Sequence, residues 1–395
     1  MILDVARVRS DYPALAEGFV HLDGAGGTQP AEPVIAAIAG AMRTAVSNRG
    51  SAHEPARRSG EIVAAARSAV ADLVGGDPAG VVFGPSATAL TYLVARTLSR
   101  GWRPGDEVVV SRLDHDANVR PWVQAAEAAG ATVRWAEVDL ATGELPAGQY
   151  RELVGSRTRL VAVTAASNAI GTMPAVRAIA DLAHASNAFV YVDGVHATAH
   201  RPIDVRALGA DFYTTSAYKW SGPHYAAVVA DPAVWEPLRP VKLIPSPEQA
   251  PDRFEYGTLS FELLAGITAA VDYLATLSDA RGDRRRVLAG MAAATEHESR
   301  LVDRLLAGLA AIDGVTICPA GADRCPTVSF RVAGQTPAET AHALGERGIC
   351  LSHGDYYAVE YFEAAGLRAT GGAVRASLYH YNTEDEVDRL LRALA

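Results

Sequence analysis

The sequence predicts an α/β fold, in which a large domain with a mostly parallel seven-stranded sheet sandwiched by helices is joined to a smaller α+β C-terminal domain. Three observations predict it. Short apolar runs alternate with helix-like segments over residues 60–230, which is typical of parallel strands joined by helical crossovers. After about residue 231 a proline-rich loop leads into longer helices. The chain has 395 residues, 49% of them hydrophobic, which suits a large core and excludes a disordered chain.

Seven runs in the first part of the chain have the length and the β-branched content of buried strands. They lie at 81–83, 107–111, 131–138, 159–164, 188–192, 212–215 and 226–230. Helices are predicted at 54–74, 87–100, 117–130, 174–186 and 202–209. Because helices separate several of these strands, we expect helical crossovers that cover both faces of the sheet.

The C-terminal part is predicted to form the smaller domain. Helices are expected at 261–278 and 283–312, followed by alternating strands and helices. Thr383 and Glu386 have the spacing of a capping box at the start of the last helix. We expect the large domain to span 21–282, and the small domain to combine 1–20 with 283–395.

Charge and cysteine content exclude several classes of protein. The net charge is 36 − 45 = −9, which argues against a nucleic-acid partner. No apolar run reaches the roughly 18 residues of a membrane span, and residues 1–18 lack the apolar stretch of a secretory signal. The three cysteines show no metal-ligand spacing, and so few in a long chain indicate a reducing compartment. We expect a cytoplasmic protein without a membrane or nucleic-acid partner.

Lysine is almost absent from the chain. Of the 36 basic residues, two are lysine, Lys219 and Lys242, and 36 − 2 = 34 are arginine. A coding bias explains this imbalance, and under it a retained lysine is a candidate for a place where arginine does not substitute. Lysine can lose its proton and form an imine, which arginine does not do. Lys242 lies in a loop-like stretch, whereas Lys219 lies among aromatic and small residues. Lys219 is therefore the candidate for chemistry.

Polar side chains follow several of the predicted strands. In a doubly wound sheet, ligands bind at the carboxyl ends of the strands. The candidates at these positions are Ser86, Ala87 and Thr88, which open a helix, and His115, Asn168, Asp193, His196, Ser216, Tyr218 and Lys219. Taken singly, each has a structural explanation, since Asp193 also suits a turn and His115 also suits a solvated loop. Together they describe a pocket.

The titratable groups of this pocket suit one cofactor, pyridoxal 5′-phosphate. Lys219 supplies an amine that forms an imine with the cofactor's aldehyde. Asp193 supplies a carboxylate that keeps the ring nitrogen protonated, and His115 supplies a flat group for the ring face. These three residues are the predicted catalytic set.

The remaining groups complete the predicted cofactor site. Asn168 and His196 provide donors for the ring hydroxyl oxygen. The helix that begins after Ser86 provides backbone N–H groups and a positive dipole end for the phosphate, and Ser216 adds a hydroxyl. His196 and His200 also have the spacing of a zinc pair, but no third ligand is evident, so no metal is predicted. The glycine-rich stretch 22–30 lacks dinucleotide spacing and is interpreted as a loop.

The order of these motifs resembles the class V aminotransferase family of pyridoxal-phosphate enzymes (fold type I), in its cysteine-desulfurase-like and isopenicillin-N-epimerase-like branch. The resemblance covers about 20–280 and 340–395. It is carried by HLDGAGGTQP, VVFGPSATAL, SRLDHDANVRPW, ASNAIGT, VDGVHA, DFYTTSAYKWSGP, FEYGTLSFELLAGITAAVDYL and RASLYHYNTEDEVDRLLRAL. As a set, these motifs are highly specific.

The resemblance implies further roles. In the family, the lysine matching Lys219 forms the imine, and the residue matching Thr258 reaches across a homodimer interface to the neighbour's phosphate. The match to Arg375 pairs with the substrate carboxylate, a role that suits a guanidinium. His196 and Tyr218 stand where desulfurases usually carry glutamine and histidine, and both keep a polar donor.

One loop departs from the family. Desulfurases carry a nucleophilic cysteine in a loop of the form RTGHHCA, and the equivalent here is 352–358, SHGDYYA, with Tyr357 at the cysteine position and Ser352 replacing an arginine. Cys350 is interpreted as a small buried hydrophobic residue in a strand. Persulfide chemistry is therefore disfavoured. His353 and four tyrosines are expected to wall the substrate side, and the tyrosines are Tyr356, Tyr357, Tyr379 and Tyr381.

These expectations converge on an enzyme that removes the α-proton of an amino acid held by Arg375. Lys219 is expected to be the base. The predicted reaction is β-elimination by a C–S lyase acting on an S-substituted cysteine. Transamination and epimerisation share its first half and stay open as alternatives, as does a catalytically silent cofactor-binding protein.

Overall fold

The computed structural model describes residues 3–395 and contains two main sheets with helices packed on them. The strands are β1 (Val20–His21), β2 (Val81–Gly84), β3 (Glu107–Ser111), β4 (Thr132–Ala136), β5 (Thr158–Thr164), β6 (Phe189–Asp193), β7 (Phe212–Ser216), β8 (Ala226–Val229), β9 (Val315–Ile317), β10 (Thr327–Val332), β11 (Ile349–Cys350), β12 (Ser352–Gly354) and β13 (Ala373–Ser377). The helices are α1 (Val5–Ser10), α2 (Glu32–Arg43), α3 (Glu54–Val74), α4 (Ala87–Leu98), α5 (Arg120–Ala129), α6 (Tyr150–Leu153), α7 (Val176–His184), α8 (Val205–Leu208), α9 (Pro232–Trp235), α10 (Phe261–Ala275), α11 (Asp283–Ala310), α12 (Pro337–Gly345), α13 (Val359–Ala364) and α14 (Glu384–Leu394).

The large sheet has the strand order β2-β8-β7-β6-β5-β3-β4. Strand β8 is antiparallel to both of its neighbours, and the other paired strands are parallel. All seven runs predicted from the sequence are strands of this sheet, so the predicted mostly parallel seven-stranded sheet is confirmed. The carboxyl ends of β3, β5, β6 and β7 therefore lie at one edge.

Helices cover both faces of this sheet because its central strands are apolar on both faces. In β5, Leu160 and Ala162 pack in one cluster with α4 and α5, whereas Val161 and Val163 pack in another with α3, α7 and α10. These four side chains are fully buried. Burying a valine or leucine side chain contributes roughly 1.5–3 kcal/mol, so the two layers hold the strand ends in fixed positions.

The smaller sheet is antiparallel, with the order β12-β13-β10-β9. An apolar cluster that includes Leu305, Phe330 and Leu390 joins it to α11 and α14. The predicted α+β unit is thus confirmed, and the capping box of Thr383 and Glu386 is present at the start of α14. The division of the chain at residue 282 stays a prediction. The sequence predicts no helix at α1, α2, α6, α9 or α13.

The N-terminal segment connects the two sheets. Strand β1 pairs in parallel with β11, and an isolated bridge joins Asp23 to Ser377 at the end of β13. These pairings place the glycine-rich loop that follows β1 beside the strand that carries Arg375. Over residues 3–395, no helix has both the length and the apolar content needed to cross a membrane; the cytoplasmic location stays a prediction.

Candidate active site

A cavity of about 390 Å³ lies at the carboxyl edge of the large sheet, where β12, β13 and the loop after β1 close over it. Most of the site residues predicted from the sequence line this cavity; Thr258, Tyr379 and Tyr381 do not. Those that do are Ser86, Ala87, Thr88, His115, Asn168, Asp193, His196, Ser216, Tyr218, Lys219, His353, Tyr356, Tyr357 and Arg375. The structure thus brings together side chains spread over almost 300 positions of sequence, as the strand-end argument predicts.

Lys219 lies just after β7, with its side chain 8% exposed. Its Nζ donates a hydrogen bond to the Ala25 carbonyl and lies 4.7 Å from the centre of the Tyr218 ring. Burial, with the nearby Arg375 charge, lowers the pKa of Lys219 to about 7. A substantial fraction of this amine is therefore unprotonated near neutral pH, which both imine formation and proton removal require.

Asp193 ends β6 and is buried against the same cavity. Its Oδ1 accepts a hydrogen bond from the Val195 backbone N–H at 2.9 Å. Burial raises the pKa of this carboxyl to about 6, while the Val195 hydrogen bond and the Lys219 charge oppose that rise. Asp193 is therefore largely a carboxylate at neutral pH and is available to a protonated ring nitrogen.

His115 follows β3 and is a neutral ring at the cavity wall. Its Nδ1 accepts a hydrogen bond from the Ala117 N–H at 3.0 Å, and burial, with the Lys219 charge next, lowers its pKa to about 4. The ring stacks on Tyr357, with ring centres 5.4 Å apart and an interplanar angle of 23°. Histidine and tyrosine together form an aromatic wall on one side of the cavity.

Asn168 and His196 follow β5 and β6. The Asn168 Nδ2 donates to the Tyr356 carbonyl at 2.9 Å, while its Oδ1 is buried without a partner. The His196 Nε2 lies 2.9 Å from the Thr327 hydroxyl, and burial holds the pKa of His196 well below its usual value. Both groups are neutral, so they are suited to hydrogen bonds with a ligand oxygen rather than to ion pairs.

The N-terminus of α4 opens into the cavity. Ser86 is its N-cap and accepts a hydrogen bond from the Ala89 N–H at 3.1 Å. The first N–H groups of a helix lack intrahelical partners, and Ala87 and Thr88, which belong to this first turn, line the cavity. Together with the Ser216 hydroxyl nearby, this terminus is suited to an anion such as a phosphate.

Arg375 lies on β13, with its side chain 4% exposed. Its Nη1 donates to the Asn168 carbonyl at 2.9 Å, and its guanidinium lies 4.3 Å from the centre of the Tyr356 ring. The Nε is buried without a partner, and burial lowers the Arg375 pKa to about 10. Within residues 3–395 this guanidinium forms no salt bridge. A buried cation without a counter-ion is unfavourable unless a ligand supplies the charge.

The loop after β1 contributes two cavity residues that the sequence does not identify. Ala25 and Gly26 line the cavity, in a stretch for which the sequence predicts a loop and no site residue. A Cβ at Gly26 would lie 3.0 Å from the Asp23 carbonyl and 3.7 Å from Arg375 Nη2, so glycine leaves space beside the guanidinium. The available signal was the position of this loop directly after a short β-run, as in the other strand-end motifs.

Three sequence expectations need correction. Tyr356 and Tyr357 line the cavity, but Tyr379 and Tyr381 do not; both are fully buried, and their rings pack against each other. The Tyr381 ring also packs against Tyr12, and the Tyr381 carbonyl accepts a hydrogen bond from Arg9 of α1. Cys350 is half-buried in β11 rather than buried.

Thr258 and the histidine pair are also placed by the structure. Thr258 is exposed and lies outside the cavity of its own chain. His200 Nδ1 bonds Glu298 at 2.9 Å, and its ring stands edge-on to His196. Across residues 3–395, no cluster of three or more histidine, cysteine, aspartate or glutamate side chains is arranged to hold a metal ion.

Comparison with known proteins agrees with this arrangement. The family model "Aminotransferase class-V" matches residues 20–390. The chain belongs to the class V aminotransferase family. An uncharacterized protein of Mycobacterium tuberculosis is 40% identical over 100% of this chain and 99% of its own length. A probable cysteine desulfurase of Pseudomonas aeruginosa is 36% identical over 98% of this chain and 96% of its own.

The class V fold is also seen in solved structures. The crystal structure of the cysteine desulfurase CsdA from Escherichia coli superposes with a TM-score of 0.88 at 27% identity, covering 100% of this chain and 98% of that one. The fold-type-I architecture expected from the sequence is therefore confirmed, and members of this family use pyridoxal 5′-phosphate.

The cavity of this class V protein fits that cofactor on its own chemistry. A buried amine of lowered pKa, a buried carboxylate, a neutral aromatic wall and a free helix N-terminus face one space. The Asn168 Oδ1 is buried without a hydrogen-bond partner, and a bound ligand could supply that partner.

Proposed function

We propose that this protein binds pyridoxal 5′-phosphate and catalyses β-elimination on an S-substituted cysteine, as a C–S lyase. The observation that carries the proposal is one cavity that holds a buried amine of lowered pKa, Lys219, together with a buried guanidinium, Arg375. Neither forms a salt bridge within the described part of the chain, and each is 8% exposed or less. An amino acid beside the cofactor would supply a carboxylate to the guanidinium, while the amine would act on the cofactor and on the α-proton.

The cofactor would be held by groups at five strand or helix ends. The N-terminus of α4, with Ser86, Ala87 and Thr88, would bind the phosphate, assisted by Ser216. Asp193 would keep the ring nitrogen protonated, and His115 would cover the ring face. Asn168, His196 and Tyr218 would contribute polar contacts at the edge. When bound, the cofactor supplies an electron sink that acidifies the α-C–H bond of an amino acid.

Arg375 would bind and orient the substrate carboxylate. Its guanidinium offers two or more N–H donors in the planar arrangement that a carboxylate accepts. The Tyr356 ring beneath it and the neighbouring Gly26 hold the guanidinium in place while leaving room for the ligand. This contact would set the α-carbon at a fixed position relative to Lys219.

Lys219 would accept the α-proton. Because burial lowers its pKa to about 7, the amine is unprotonated often enough to act as a base and is acidic enough afterwards to return the proton. In β-elimination, the electron pair of the broken C–H bond forms a Cα–Cβ double bond, and the thiolate leaves with the C–S pair. Hydrolysis of the released enamine then yields pyruvate and ammonia.

A persulfide-forming desulfurase is disfavoured. The three cysteines, all within residues 3–395, lie outside the cavity lining, and burial raises the pKa of all three thiols. Tyr357 stands where the resemblance to desulfurases places the nucleophilic cysteine, and its ring stacks on His115. A phenol does not accept sulfur from a substrate to form a persulfide. The thiol product would therefore leave as a small molecule.

Transamination or epimerisation by the same residues, and a silent cofactor-binding protein, are the alternatives. A panel of S-alkyl and S-aryl cysteines together with ordinary amino acids tests them. We expect pyruvate and free thiol from the S-substituted cysteines. Keto-acid formation with retention of the substituent would replace the lyase with an aminotransferase, and a racemised substrate would replace it with an epimerase. No product from any amino acid would leave only the silent protein.

We further propose that the protein is a homodimer in which Thr258 approaches the partner's cofactor site. The loop that follows α9 carries exposed apolar side chains; Leu243 is 73% exposed and Ile244 is 96% exposed. Tyr256, also exposed, donates a hydrogen bond to the Val241 carbonyl in this loop. Several exposed apolar side chains in one short segment, joined to the residues next to Thr258 through Tyr256, suit contact with a second copy of the chain.

The Ile244→Asp variant is expected to shift the protein from dimer to monomer, because a charge would be buried in the apolar interface. Light scattering would measure the mass of the wild type and the variant at several concentrations. A wild-type mass of one chain at all concentrations would eliminate the dimer. Arg285→Asp, which also adds a negative charge to a surface position, serves as the matched control.

A further inference from the structure

The segment that carries Tyr356 and Tyr357 is held in an unusual backbone conformation. Both residues have positive φ, 50° and 60°, in the left-handed region that bulky side chains rarely occupy. Such a conformation persists only where the surroundings hold it. Two hydrogen bonds reach the segment from the large sheet: Asn168 Nδ2 to the Tyr356 carbonyl at 2.9 Å, and the Asp116 N–H to the Tyr357 carbonyl at 2.7 Å.

Glu360, in the first turn of α13, adds an ionic connection three residues further on. Its side chain is 16% exposed, and each of its oxygens meets a different arginine: Oε2 with Arg112 Nη1, and Oε1 with Arg120 Nη2, both at 2.8 Å. A carboxylate shared in this way bridges the small-sheet segment to the two elements that flank His115.

Both arginines are themselves fixed. Arg120 donates two hydrogen bonds to Asp116, at 2.8 and 3.0 Å, and Asp116 is the residue whose N–H bonds the Tyr357 carbonyl. Arg112 bonds Glu137 at 2.8 Å and lies 4.8 Å from the centre of the Trp135 ring. The network closes a loop of contacts from Glu360 through Arg120 and Asp116 back to Tyr357.

We propose that Glu360 is a positioning residue, which clamps the Tyr356–Tyr357 segment against the His115 loop and so sets the shape of the substrate side of the cavity. Tyr356 stacks on the Arg375 guanidinium and Tyr357 stacks on His115, so release of the clamp would loosen both walls together. Glu360 touches neither the cavity nor its proposed ligands. The effect on substrate binding rests on the proposed function, whereas the clamp itself does not.

The first test measures the clamp without activity. Glu360→Gln keeps the size of the side chain and removes its charge, and Glu363→Gln is the matched control, because Glu363 lies on the same helix with a 67% exposed side chain and only a 3.8 Å pair with Arg368. Hydrogen–deuterium exchange of peptides covering 113–119 and 354–359 is expected to rise in the first variant and not in the second. Unchanged exchange in Glu360→Gln would overturn the clamp.

The second test measures the effect on the proposed reaction. With an S-substituted cysteine, Glu360→Gln is expected to raise KM roughly tenfold while kcat changes less than about twofold, because binding geometry and not proton transfer is disturbed. Faster exchange with an unchanged KM would overturn the positioning role. If the wild type acts on no amino acid, the proposed function fails while the exchange result still decides the clamp.

A second variant tests whether Glu360 and Arg120 act through the same contact. Arg120→Gln breaks the Glu360–Arg120 pair from the other side, and the Glu360→Gln/Arg120→Gln double variant is expected to show a smaller exchange increase than the sum of the two single variants, since both remove that pair. Additive increases would mean that the two residues act independently, which contradicts the proposal.

Discussion

Lys219→Arg is expected to lower kcat/KM by about 10⁴-fold or more, and to abolish the absorbance at about 420 nm that an imine with the cofactor gives. Arginine keeps a positive charge in the buried site but does not form the imine or act as a base near neutral pH. The spectrum of the purified protein and its turnover of an S-substituted cysteine are the two measurements.

The chain offers a matched control for this experiment. Lys242 is the only other lysine; it lies in a loop where its Nζ pairs with Glu248 at 2.7 Å, a contact that arginine can replace. Lys242→Arg is therefore expected to keep both the chromophore and the activity. Reduction of the wild type with borohydride should attach the cofactor to the peptide that contains Lys219. A Lys219→Arg variant that kept the chromophore and turned over substrate would refute the proposed chemistry.

The sequence predicted most of the site because strand ends are local features. His115, Asn168, Asp193 and Lys219 each follow a short apolar run, and the right-handed parallel topology brings all such ends to one edge. That these side chains lie close together can therefore be predicted from the fold class, and no long-range contact has to be known first. The N-terminus of α4 is predicted on the same basis, because it follows the apolar run at 81–83.

The errors arose where packing between the two sheets decides the outcome. Tyr379 and Tyr381 follow β13 and have the pattern of site residues, but both belong to the buried apolar cluster that also contains Tyr12. Ala25 and Gly26 were missed because their place depends on the bridge between Asp23 and Ser377, residues separated by most of the chain. The clamp at Glu360 also joins residues about 240 positions apart. Contacts of this separation leave no periodic signal in the sequence.

Arg375→Ala is expected to weaken recognition of amino-acid substrates by about 2–5 kcal/mol, which is a loss of roughly 30- to 4,000-fold in kcat/KM. The guanidinium is buried, its Nε lacks a partner, and no carboxylate of residues 3–395 lies within salt-bridge distance of it. A substrate carboxylate would therefore find a desolvated, pre-positioned cation, and its removal leaves the anion unpaired in a site of low dielectric constant. Steady-state kinetics with an S-substituted cysteine measures the loss.

Two comparisons separate carboxylate recognition from a general disturbance of β13. Arg331→Ala, on the adjacent strand β10, removes an arginine whose Nη1 bonds only the exposed Thr370 hydroxyl at 2.7 Å, and it is expected to leave kcat/KM unchanged. Binding of the decarboxylated amine analogue of the substrate should be equally weak in wild type and Arg375→Ala, since neither complex contains the carboxylate contact. An unchanged KM for the amino acid, or an equal loss of affinity for the amine, would show that Arg375 does not bind the carboxylate. Arg375→Lys should recover part of the loss, because the charge is restored while the planar two-donor geometry is not.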